Sequence, residues 1–143
     1  MSTVRDAVLA IHGDIAALSN FSPDNVVVTA GMTLEAFEEL NYPCALIVPG
    51  ESNFDQENPE FEELTVDVGV WVQDERDPWG HSAILEETNG VLALLEAIKT
   101  AFVKFDRVDG VRWHLTGWSR PRPEMKDGTV LVHGSLSYRG VVG

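Results

Sequence analysis

The sequence holds one cysteine, Cys44, in 143 residues. That excludes an internal disulfide and suits a reducing compartment. No apolar run approaches the ~18 residues needed to span a bilayer. The opening Met-Ser-Thr-Val-Arg-Asp lacks the basic-then-apolar layout of a secretory signal. No membrane partner is expected. A glycine-rich loop leading into Lys-Ser/Thr, the cradle for phosphates, is missing. The four histidines, His12, His81, His114 and His133, show no His-x₃-His spacing, and no Cys-x₂-Cys pair exists; no metal set and no cofactor are expected. Base is also scarce where acid is dense. Met1–Val103 carries 19 acidic residues against three basic ones (Arg5, Arg76, Lys99), and Lys104–Gly143 carries four against seven. The net charges are −16 and +3 within a total of −13. A chain so acidic overall repels nucleic acid, so specific DNA binding is not expected.

Two segments that superficially carry chemistry fail on inspection. A serine hydrolase needs Gly-x-Ser-x-Gly on a strand-to-helix turn, whereas His133-Gly134-Ser135 sits inside an alternating strand pattern with no elbow. Alternation puts His133 and Ser135 on one face, the wetter one. A calcium loop aligned from Glu51 places Asn53, Asp55 and Glu62 at ligand positions. However, Gln56 stands where the sharp turn needs glycine, Asn58 replaces the apolar eighth residue, and Pro59 follows. No catalytic or metal residue is assigned, and the chain is not expected to be an enzyme.

What is present is a regular alternation of elements. Val4, Val8, Ile11, Ile15 and Leu18 recur at helical spacing, which predicts an amphipathic helix over Thr3–Leu18, capped by Thr3 with Asp6 at the capping-box position. Val26–Thr29 reads as a short strand and Thr33–Leu40 as two turns of helix closed by Pro43. Cys44–Val48 reads as a strand apolar on both faces. The polar stretch Pro49–Glu63 follows, longer than an ordinary connection and suited to an extended hairpin loop. Leu64–Gln73 alternates cleanly, with Leu64, Val66, Val68, Val70 and Val72 on one face and Trp71 on the other. Ser82 is the expected cap of a helix over Ala83–Val103, whose Glu86 and Glu87 complement the dipole at its start. Strands are expected at Val111–Trp118 and Thr129–Tyr138. Between them Ser119–Gly128 reads as a loop, because its Arg-Pro-Arg-Pro run opposes regular structure. The order α-β-(α)-β-β-α-β-β predicts one α+β domain over residues 1–143, a mostly antiparallel sheet packed against the N-terminal helix and the long central one.

The charge split directs attention to surfaces. Glu51, Asp55, Glu57, Glu60, Glu62 and Glu63 form an acidic loop with no base in it. Arg112, Arg120, Arg122 and Arg139 lie in the basic tail and are candidates to meet an acidic edge of a neighbour. By strand parity Trp71 points away from the valine face, and Trp118 points away from Val111, Trp113 and Leu115. On an outer face both are candidate interface anchors.

This succession resembles the tail terminator, or tail completion, proteins of long-tailed bacteriophages. The likeness rests on the N-terminal helix, the Leu-Glu-Ala-Phe-Glu-Glu-Leu-Asn-Tyr-Pro-Cys-Ala-Leu-Ile-Val segment leading into an acidic hairpin, the Thr-Val-Asp-Val-Gly-Val-Trp-Val strand, the Val91–Phe102 helix and a closing strand ending Leu-Ser-Tyr-Arg. The resemblance implies a non-enzymatic virion protein at the tail–neck junction, assembled in the host cytoplasm. It implies a hexameric ring of copies that caps the tail tube, joins it to a head–tail connector or neck protein, and encloses a channel for DNA. An acidic lining suits such a channel, since like charge keeps a polyanion from adhering. The rival readings are another neck or head-completion connector, a monomeric acidic adaptor, and a small-molecule-binding α+β enzyme.

Overall fold

The computed structural model describes residues 4–30, 42–54, 62–74, 81–105, 111–126 and 129–142. Within them the side chains of 51–54, 74, 103–105, 112, 120, 126 and 142 are not described. Helix α1 spans Val4–Ala16, followed by a 3₁₀ turn at Pro23–Asn25 and strand β1 (Val26–Val28). Strands β2 (Cys44–Phe54) and β3 (Glu62–Asp74) come next, then helices α2 (His81–Leu85) and α3 (Val91–Phe105), and finally β4 (Arg112–Lys126) and β5 (Thr129–Val142). The mixed α+β class and the element order agree with the reading of the sequence. Thr3 and the expected Thr33–Leu40 helix lie outside the described residues, as do the turns at 77–80 and 109–110.

The strands form one sheet in the order β1-β2-β3-β5-β4. Among the described strands only the β1/β2 pair is parallel; β2/β3, β3/β5 and β5/β4 are antiparallel. Strand periodicity then decides the faces. Ala45, Ile47, Leu64, Val66, Val68, Val70, Val72, Val132, Leu136 and Tyr138 turn to one side and pack with Ala7, Val8, Ile11 and Ile15 of α1 and Val91, Leu94, Leu95, Ile98 and Phe102 of α3. Each such fully buried aliphatic side chain contributes about 1.5–3 kcal/mol. The other side of the sheet carries a small second cluster of Cys44, Leu46, Trp71 and Leu131.

Three expectations are corrected. The Ala83–Val103 helix is two helices, because Thr88-Asn89-Gly90 forms a turn between them. The Glu86 carboxylate accepts the backbone N–H groups of Thr88, at 3.0 Å, and Asn89. Gly90 allows the close return of the chain: a Cβ there would lie 2.5 Å from the Glu86 carbonyl oxygen. Secondly, the acidic hairpin has longer strands than expected, since β2 runs on to Phe54 past a bulge between Pro49 and Ser52 and β3 begins at Glu62. Thirdly, Arg120-Pro121-Arg122-Pro123 is part of a 15-residue strand, not a loop. A proline has no N–H to donate, and among the described residues β4 is an edge strand with one side left unpaired in the ladder. The irregularity between Ser119 and Arg122 absorbs Pro121, and pairing resumes with Arg122 opposite His133.

Candidate assembly surface

The two expected tryptophan anchors part company. Trp71 is only 1 % exposed, so it is not a free surface anchor. It does point away from the valine face, but there it packs with Cys44, Leu46 and Leu131 and stacks on His133, with ring centroids 4.3 Å apart. Burial in this cluster pushes the Cys44 thiol up to about 12, a backbone hydrogen bond from Trp71 opposing the shift. The thiol therefore stays protonated and unreactive.

Trp118 is 60 % exposed. It faces the helix side of the sheet, contrary to simple alternation. A bulge between Leu115 and Gly117 slips the register by one residue and flips the side chains after it, until the irregularity between Ser119 and Arg122 restores the parity. Leu115, Trp118 and Met125 thus pair with Tyr138, Leu136 and Val130, all core-facing, and only Trp118 owes its face to the first bulge. Yet α3 does not reach far enough to cover them: Leu115 is 43 % and Met125 66 % exposed.

Where α3 and β4 do approach, they leave a cleft of about 270 Å³ lined by Glu96, Lys99, Thr100, Phe102, Trp113, Leu115 and Tyr138. Phe102 and Tyr138 stack in parallel with centroids 3.6 Å apart, and Trp113 meets Phe102 edge-on at 6.0 Å. Trp113 lies flat on Gly140, where a Cβ would fall 2.6 Å from its ring. The Tyr138 hydroxyl is buried with no hydrogen-bond partner among the described residues. Desolvation, with the nearby Glu96 charge adding to it, raises its pKa and keeps it a donor. Lys99 is drawn to Glu96 at 3.3 Å on the rim.

The polar side of β5 and β4 gathers the expected chemistry-bearing residues but does not make a catalytic set of them. His133 and Ser135 share this face, as alternation predicts. The Ser135 hydroxyl is hydrogen-bonded to that of Ser119 at 2.9 Å, and His133 Nε2 faces Glu124 at 3.6 Å. Burial lowers the His133 pKa; Glu124 opposes this and Arg122 reinforces it. Among the described residues no group of three or more His, Cys, Asp and Glu is placed to hold a metal ion.

Of the acidic loop residues, Asp55, Glu57 and Glu60 lie outside the described residues, and Glu51 is placed only by its backbone, within the β2 bulge. Glu62 and Glu63 belong to β3. Glu63 accepts Arg139 Nε at 3.0 Å, so Arg139 is engaged within its own chain. Arg122 is exposed, directly across from His133. Arg112 sits opposite Val141 and Arg120 within the second bulge, their side chains outside the description. Sequence reasoning missed the α3–β4 cleft; its signal was Glu96, Lys99 and Thr100 beside Phe102 on one flank of the helix, a stripe too mixed to stand out.

No protein-family model matches the chain, and no curated protein matches it in sequence. Fold and surface together define an α+β protein with one open, apolar-flanked sheet edge beside its most basic segment.

Proposed function

We propose that the protein is a self-assembling structural component of a phage-type tail, a terminator-like ring that caps the finished tube and forms the joint to the neck. The observation that carries this reading is the open β4 edge, along which Leu115, Trp118 and Met125 stand exposed, with Leu115 lining the aromatic cleft. Exposed apolar side chains along an unpaired edge are a liability in a permanent monomer and a resource in an assembly. The charge split supports it: a copy whose acidic part meets the basic tail of the next loses much of its self-repulsion. The resemblance in element order supplies the particular assembly, with tail tube and connector proteins as its partners.

Light scattering and electron microscopy of concentrated protein, alone and with tail tube protein, test the proposal. Rings are the expected outcome; a protein that stays monomeric in both conditions overturns it. Tails assembled without heads separate a terminator from a neck component, since a terminator is found on them and a head-completion protein is not.

A further inference from the structure

We propose that the groove between α3 and the open β4 edge seats the α1–β1 edge of a second copy, a head-to-tail contact between unlike surfaces. The inference rests on the self-assembly reading and specifies its contact. Three observations point to it. First, apolar exposure sits at both sides of the fold. Leu115, Trp118 and Met125 lie along β4, while Leu9 of α1 and Val28 of β1 stand 48 % and 44 % exposed at the opposite edge. Secondly, charge is complementary. Val4–Ala30 carries Asp6, Asp14 and Asp24 against Arg5 alone, whereas Val111–Pro123 carries Arg112, Arg120 and Arg122 and no acid. Thirdly, the cleft between α3 and β4, walled by Phe102, Trp113, Leu115 and Tyr138, gives an apolar side chain of the incoming edge a place to enter.

Contacts between unlike patches propagate from copy to copy and close into rings when the rotation allows, whereas a contact between like patches stops at two. Trp118 has the character of a central anchor: large, exposed, and next to a cleft of about 270 Å³.

Sedimentation and mass measurements on Trp118→Glu and Leu9→Glu, singly and mixed, test the contact. Both side chains are exposed, so each variant is expected to keep the wild-type urea midpoint; Trp118→Ala and Leu9→Ala serve in place of either that does not. Each single variant is expected to associate about thirtyfold more weakly or worse. Mixed together, they are expected to form one-to-one dimers and nothing larger, because each retains one intact patch. If wild type forms rings and Trp118→Glu still forms them, the seat is wrong while the ring reading stands. If both variants stay monomeric on mixing, the contact joins like patches and the head-to-tail inference falls. Wild type that never associates overturns the ring reading itself.

Discussion

The two edges of the sheet solve the same physical problem in opposite ways. An edge strand presents unpaired N–H and C=O groups that invite another chain. At β1 the edge is three residues long, and α1 packs beside it. The His12 ring donates from Nε2 to the Val26 carbonyl at 2.8 Å, taking up one acceptor of this strand. At β4 the edge is 15 residues long. Its second half is blunted by Pro121, Pro123 and a bulge, but its first half, from Arg112 to Ser119, has no proline and carries Trp113, Leu115 and Trp118 on the helix side. One edge is closed by brevity and side-chain capping. The other is closed only halfway, and the half left open is the one beside the cleft.

The largest expected effect separates the two edges by stability. Ile11 and Ile15 are fully buried where α1 covers the sheet beside β1. Ile11→Ala should lower the free energy of unfolding by about 2–5 kcal/mol. Trp118→Ala, a larger truncation at the open edge, should change it by less than about 0.5 kcal/mol. Urea melts of the two variants check this; equal losses would mean that Trp118 is covered and β4 is not open.

The next effect probes the wall of the cleft. Gly140→Ala places a Cβ where the Trp113 ring now rests, 2.6 Å away, so the ring must move off β5 and off Phe102. Overpacking of this kind costs about 1–3 kcal/mol. Near-ultraviolet circular dichroism should change with it, as Trp113 leaves its edge-on contact with Phe102. An unchanged spectrum and midpoint would show that the edge is soft enough to absorb the methyl group.

How far this contrast was legible in the sequence depends on which physical signal a residue carries. The central strands were plain because Leu64 to Val72 alternate without interruption and both faces have a defined environment. The pairing of edges was not, because order in the sheet depends on packing between distant segments. Trp118 was assigned to the wrong face by a single bulged residue, and nothing in Leu115-Thr116-Gly117 distinguishes a bulge from a regular strand except the glycine. Trp71 was assigned to the correct face, with core and interface both left open, since period-two reasoning says nothing about what covers a face. The prolines of β4 were misread for a related reason: their penalty applies to central strands, and the edge position of β4 was visible only once β5 had been placed between it and β3.

A pH measurement reaches the polar face between the same strands. His133 stacks on Trp71, and burial there, against the pull of Glu124, holds its pKa below the ordinary imidazole value of 6.5. The unfolded chain therefore binds this proton more readily than the folded one. The sign follows: the contribution is fully present above about pH 6.5 and is lost as pH falls toward the lower folded value. Wild type should lose more stability than His133→Gln between pH 7.5 and pH 5.5, compared by urea midpoints. Parallel losses would mean that His133 is not responsible.

The smallest expected effect concerns Arg139, the one arginine of the basic tail with a described ion pair to the acidic hairpin. Its partner Glu63 begins β3, and Arg139 lies across the ladder on β5, so the pair ties the base of that hairpin to the last strand. Both side chains keep roughly half their surface in water, where such a pair is worth about 0.2–1 kcal/mol and weakens with salt. Arg139→Ala should therefore cost no more than that at low ionic strength, and the difference from wild type should shrink in 1 M sodium chloride. The same substitution should leave association nearly unchanged, because the guanidinium is already satisfied within its own chain and lies on the face away from Trp118. If Arg139→Ala instead abolished association while sparing the urea midpoint, the assembling surface would lie on the polar face of the sheet rather than along the open edge.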